Sequence, residues 1–339
     1  MKTTLIVFTL AGTAFAQSER KPLGEIDFFG QNGLNVDAIR AALPLHEGEL
    51  FPPAGSSNKL KRTLSARVKH VIGHDATDVA FVCCDSEQRW MIYIGLPGAS
   101  SKPAKYNASP RGTARFPAEA LRLDKEIEDA WVAAVLSGNA GEDDSQGFAL
   151  SAEPKLRAKQ MTLREYALKN EALILRVLES SDARHRRLAA QALGYAGQSN
   201  AQVEALVHAC LDPDDDVRNN ATRALGVLLG AKPDLVPLIS IEPFITLLTS
   251  GVWSDHNKAV MVLNALTSKR DQIVLNKLRS GVVDNLLEMA RWRSDGHAFT
   301  ARMILGRIAG IEEARLVDLA QKGQVDAILG GLLPERPNK

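Results

Sequence analysis

The segment Asp212–Gly226, "DPDDDVRNNATRALG", sets four carboxylates within five residues. Carboxylates at that density can ligate a divalent cation, and the same side chains can open a helix by capping its free N–H groups. A calcium loop starting at Asp212 needs glycine at its sixth position and glutamate at its twelfth. Those positions hold Val217 and Arg223, so the calcium reading fails. An acid does recur ten residues before an Ala-Leu pair, as Asp182, Asp214 and Asp255, and nine before Ile304 as Asp295. That recurrence predicts helix N-caps meeting the partial positive charge of the helix end.

Other reactive residue types lack company. His70 and His74 share a helix face at i, i+4, but no Glu-x-x-His pattern or third ligand accompanies them. Cys83 and Cys84 adjoin in a strand-like run, where side chains point to opposite faces, and Cys210 sits on the apolar side of a predicted helix. Three buried thiols are expected rather than a disulfide framework. Neither Gly-x-Ser-x-Gly nor a glycine-rich phosphate loop occurs. No catalytic, cofactor-binding or metal-binding residue is therefore expected.

The elements that must carry any site begin after a leader. Lys2, an apolar run from Leu5 and the small-x-small Ala14-Phe15-Ala16 read as a secretory signal over residues 1–16. Export to a periplasmic or extracellular location is the expectation, with no later membrane span. A net charge of +1 gives no basic excess for nucleic acid, and 5% aromatic residues favour packed helices over a β-sandwich.

Residues 17–98 predict a small α+β module. "EIDFFG" is a short strand, "NVDAIRAALPLHEG" and "NKLKRTLSARVKHVIGH" are helices, and "DVAFVCCD" with "RWMIYIGL" forms a hairpin across "SEQ". That β-α-α-β-β order, opened by "IDFFG" and followed by "LPLHEGELF", resembles the POTRA domain of cell-envelope proteins. The resemblance implies a non-catalytic module that binds chains or partner domains, often at a sheet edge. Residues 99–160 read as linker plus a connecting helix from Pro117 to Gly138, its buried stripe being Leu121, Ile127, Trp131 and Val135.

From residue 161 to 339 the chain repeats itself. "RHRRLAAQALGYAG" and "DVRNNATRALGVLL" align at an offset of 32 residues, and "HNKAVMVLNALTSK" and "HAFTARMILGRIAG" are weaker copies. Each copy has an apolar partner helix before it, so stacked αα-hairpins are predicted. The "D-x-V-R-x-x-A-x-x-A-L-G" run at Asp216–Gly226 resembles HEAT repeats, and the Gly281 and Gly323 segments, offset by 42, resemble the third helix of armadillo repeats. The resemblance implies pairing of Asp216 and Arg218 across units. The fold expected is an α+β N-terminal module followed by an all-α, HEAT/armadillo-like αα-superhelix.

The polar face of the second helices carries Arg187, Gln191, Asn219, Arg223, Asn264, Phe299 and Met303. On the concave side of a solenoid such a row suits a protein or peptide partner. The expected function is an exported, non-enzymatic binding scaffold. The alternatives are a repeat-containing lyase acting on a chromophore or cofactor, and a spacer for the N-terminal module.

Overall fold

The computed structural model describes residues 21–52, 57–139 and 141–330, so the predicted signal segment lies outside the described residues. Among them, β1 (Leu23–Phe29), α1 (Val36–Ala42), α2 (Ser57–Ile72), β2 (Asp78–Cys83) and β3 (Trp90–Gly95) follow the expected order. The sheet runs β1-β3-β2, with β3 central, parallel to β1 and antiparallel to β2. Alternation divides its faces. Ile26, Phe28, Ile92 and Ile94 pack with Ile39, Leu64 and Val68 of the two helices. Phe29, Met91 and Tyr93 point the other way and join the core of the helical half. The apolar run "WMIYIG" is therefore buried on both faces, as a central strand between two layers must be.

Residues 99–117 are an ordered strap, whereas their aperiodic composition predicts free linker. The connecting helix α3 (Ala118–Leu136) follows, with Pro117 at its N-cap. It buries Ile127 and Val135 as expected, together with Ala120 and Ala134, but leaves Trp131 50% exposed. The short ladder β4 (Glu142–Asp143) and β5 (Leu150–Ser151) leads into α4 (Pro154–Leu178). That helix kinks at Asn170, whose side-chain amide takes the carbonyl of Tyr166.

The rest is helical: α5 (Ala183–Leu193), α6 (Asn200–Ala209), α7 (Asp215–Ala231), a 3-10 turn at Pro233–Leu238, α8 (Glu242–Leu248) and α9 (Trp253–Thr267). Then come α10 (Gln272–Gly281), α11 (Val283–Ala290), α12 (Asp295–Ile308), α13 (Glu313–Gln321) and α14 (Val325–Gly330). The units do lengthen by extra helices, α10 and α13, but the Gly281 and Gly323 segments that resemble the third armadillo helix run into α11 and α14 instead. The second helices α5, α7, α9 and α12 pack directly in series, while the first helices meet far less, so the second helices form the inner layer. Ala189, Ala192, Ala221, Leu225, Val262, Ala301 and Ile304 are buried along these seams, and Ala265 is partly buried.

The Ala-Leu-Gly motif marks where inner helices touch. A Cβ on Gly194 would lie 2.9 Å from the Cβ of Ala224, and one on Gly226 would lie 3.0 Å from that of Met261. Glycine at that place lets consecutive backbones close on one another.

Candidate partner-binding surface

The acid-rich segment resolves into structural roles. Asp212 is buried and grips Arg186 through two bonds of 2.8 Å. Asp214 caps α7 by accepting from the Val217 N–H at 3.1 Å, with Asp215 and Asp216 in the first turn. Burial pushes the Asp216 carboxyl up, and neighbouring Asp215 and Asp214 push it further. Asp182 likewise caps α5.

Asp255 and Asp295 are corrections to the capping pattern. Asp255 lies inside α9, buried, and receives both Nε and Nη2 of Arg218, at 2.9 and 3.2 Å, from the preceding repeat. Asp295 sits in the first turn of α12 and binds Arg302 at 2.6 Å. Arg218 therefore pairs with Asp255 of the next unit and not with Asp216. Measured from the Ala-Leu pair, the helix starts three residues earlier here than in α7, which turns the acid inward. Arg186–Asp212 and Arg218–Asp255 form one ladder along the stack, each arginine also binding a loop carbonyl at 2.9 Å.

The strap rests on this ladder. Tyr106 donates to Asp255 at 2.9 Å, and its ring lies 3.8 Å from the Arg218 guanidinium. Burial and the nearby Asp255 charge push the Tyr106 hydroxyl up to about 12. Main-chain bonds tie the strap to successive units in reverse order. Lys102 N–H donates to Thr249, Asn107 to Leu211 and Gly112 to Glu179, at 2.7, 2.7 and 2.8 Å. Finally the N–H of Phe116 donates to His185 Nδ1 at 2.9 Å. The solenoid thus holds an extended chain, its own.

The module docks beside the strap. Successive N–H groups of Gly30, Gln31 and Asn32 converge on the carboxylate of Glu288 from α11, joined by the Ser100 hydroxyl at 2.6 Å. Such a nest of N–H groups suits an anion. Gly30 has φ of +66°, and its missing Cβ would lie 2.4 Å from the Leu96 carbonyl. Burial pushes the Glu288 carboxyl up against the pull of these donors. Trp292 donates to the Phe28 carbonyl at 3.0 Å, and Tyr93 bonds His297 Nδ1 at 2.7 Å while stacking on Trp253. Arg293 bridges to Asp27 and Glu47.

These contacts change the meaning of the expected row. Arg187 is paired with buried Asp124 of α3, and Arg223 with Glu142 of β4. Asn264 accepts from Arg307, and Met303 is buried. Asn219 binds its neighbour Asn220; Gln191 and Phe299 are half-buried. The row lies on the second helices α5, α7, α9 and α12, and its two arginines already hold carboxylates of the same chain. Those carboxylates lie in the connecting helix and in the segment after it, and no spacing in the sequence links them to their arginines.

The cysteines also depart from expectation. Cys83 and Cys84, at the end of β2, are half-buried and bridged to each other. Cys210 is buried, its thiol pushed up to about 12 by burial. His70 and His74 are exposed. Among the described residues, the acidic or metal-ligating trio that comes together is Asp214, Asp215 and Asp216, already engaged at the start of α7.

Stacked αα-hairpins around a continuous apolar seam define an α-solenoid. Residues 170–260 match the family model of HEAT repeats, and this part of the chain is a HEAT-type helical repeat. The match does not reach residues 24–98. A crystal structure of an engineered protein from the Northeast Structural Genomics Consortium is similar at 18% identity. It covers 63% of this chain and 98% of its own, with a TM-score of 0.40. No curated protein matches the chain. HEAT-type solenoids commonly mediate protein interaction, and no helix among the described residues is long and apolar enough to cross a membrane.

Proposed function

We propose that the protein is an exported, non-catalytic scaffold that binds a protein partner on the inner face of its solenoid. The observation that carries this reading is the strap: successive repeats hold an extended segment through main-chain bonds at Thr249, Leu211 and Glu179. Backbone recognition of that kind tolerates many sequences, which suits a peptide-binding frame. The partner engages the inner face around Gln191, Asn219 and Phe299, which are half-buried.

The test uses the full chain as bait against the exported proteome. One specific partner is expected, lost on the double change Gln191→Glu and Phe299→Asp while circular dichroism is unchanged. Retention of that partner by the double variant, or recovery of none, overturns the reading. The docked module favours a second reading, in which the solenoid is a rigid mount for residues 21–98. Under it, the partner is lost on changing Arg62 and Arg67, exposed on α2, and kept by the inner-face variant.

A further inference from the structure

Cys83 and Cys84 are bridged at the end of β2, an edge strand of the module's sheet. Cys83 closes the pairing of β2 with β3, opposite Trp90, and Cys84 leads into the turn that returns the chain to β3. That turn is fixed without help from the sulfurs. The Asp85 carboxylate accepts the N–H groups of Glu87 and Arg89 at 2.9 and 2.8 Å, and Nε of Arg89 at 2.7 Å. Both cysteines keep exposed surface, whereas Cys210 is wholly buried in the helical core.

A disulfide stabilises a fold chiefly by closing a loop of the unfolded chain, and the gain grows with the length of that loop. Cys83 and Cys84 are neighbours in the chain, so their bridge closes no loop and ties no two elements together. It is therefore not a staple of the fold, and its reactivity is what distinguishes it. An accessible bridge is open to attack by a thiolate, and the sulfur that leaves is the one whose thiolate is better stabilised. Here the two sulfurs differ. The Lys21 ammonium lies 3.5 Å from Cys84 Sγ and donates to Gln88 Oε1 at 2.8 Å, its side-chain contacts among the described residues. The Gln88 amide is neutral and the Asp85 carboxylate is held by Arg89, so Cys84 is the group that gains from this charge.

We propose that Cys83–Cys84 is a thiol–disulfide exchange site whose reaction partner is a dithiol. One thiolate of the dithiol attacks Cys83 Sγ. A bond forms between them, the Cys83–Cys84 bond breaks, and Cys84 leaves as a thiolate beside Lys21. The second thiolate of the dithiol then attacks its own sulfur in the mixed disulfide, which closes the partner's disulfide and releases Cys83. Two electrons pass to the chain, the dithiol is oxidised, and its two protons replace the lost bond on the cysteines. The same steps in reverse, with the partner's disulfide as oxidant, close the bridge again. The site uses none of the inner-face residues and is independent of the scaffold reading.

Differential alkylation of the full chain, isolated without reductant and read by peptide mass spectrometry, tests this. Iodoacetamide added after denaturation is expected to leave the tryptic peptide His70–Arg89 unlabelled and two hydrogens lighter than its reduced form. Dithiothreitol at about pH 8, where it carries thiolate, opens both cysteines of the folded chain to the label while Cys210 stays unlabelled. Lys21→Gln slows that reduction about threefold at low salt, and high salt removes the difference. Free thiols at Cys83 and Cys84 in the isolated chain overturn the proposal. So does a bridge that dithiothreitol reduces only after denaturation. An unchanged rate in Lys21→Gln overturns the assignment of Cys84 as the leaving sulfur.

Discussion

A guanidinium sealed inside a helical stack needs hydrogen-bond partners. Arg218 has four such bonds, two to Asp255 and two to carbonyls at 2.9 and 3.2 Å, and stacks on the face of Tyr106. Removing one ion leaves the other buried and unpaired. Asp255→Ala is expected to destabilise the fold by about 3–5 kcal/mol in urea titration. The pair Arg218→Met with Asp255→Leu recovers most of that loss, because an apolar pair of similar volume has no desolvation penalty. A double variant no more stable than Asp255→Ala would show that the ladder does more than neutralise charge. Arg186 and Arg218 are legible in the sequence, at equivalent places 32 residues apart. Asp255 is not legible as a ligand, since its spacing to the Ala-Leu pair matches that of the true caps Asp182 and Asp214.

At the scale of elements, repeated helices and a strap obey different rules. The αα-hairpins announce themselves because a seam of alanine and leucine returns every turn and every repeat. The strap has no period, since each of its residues answers to a different loop, and its composition resembles free linker. Its order comes from close approach. Gly112 bridges to Ser180, and a Cβ there would lie 2.4 Å from the Glu179 carbonyl oxygen. Gly112→Ala is therefore expected to lift the strap locally and destabilise by about 1–3 kcal/mol. Proteolytic cleavage within residues 100–115 would increase while the helical circular dichroism is kept. Unchanged protection of this segment would mean that the strap is held by its side chains alone.

For the whole molecule, the α+β module and the solenoid share a core. Phe29, Met91 and Tyr93 belong to the helical core while Ile26, Phe28 and Ile92 belong to the module's own. The Glu288 carboxylate locks that junction by satisfying three consecutive N–H groups. Glu288→Ala leaves those donors without their acceptor and is expected to weaken docking by about 2–4 kcal/mol. Thermal unfolding by near-ultraviolet signals of Trp253 and Trp292 would then precede loss of helix, where the native protein melts in one step. Coincident melts in the variant would show that the apolar face suffices to hold the module.

Periodicity alone determined the helical half: a seam recurring at 3.6 residues and again at 32 can be buried only by stacking. It also gave the order β-α-α-β-β of the module, because alternation and turn residues are local signals. What only the tertiary structure decided is which segments of the first half the solenoid holds. The strap, Asp124 and Glu142 reach their places through contacts between residues 60 to 150 positions apart. No local spacing encodes such pairs; the half-buried Arg187 and Arg223 find their carboxylates in the chain's own first half, because folding brings Asp124 and Glu142 beside them.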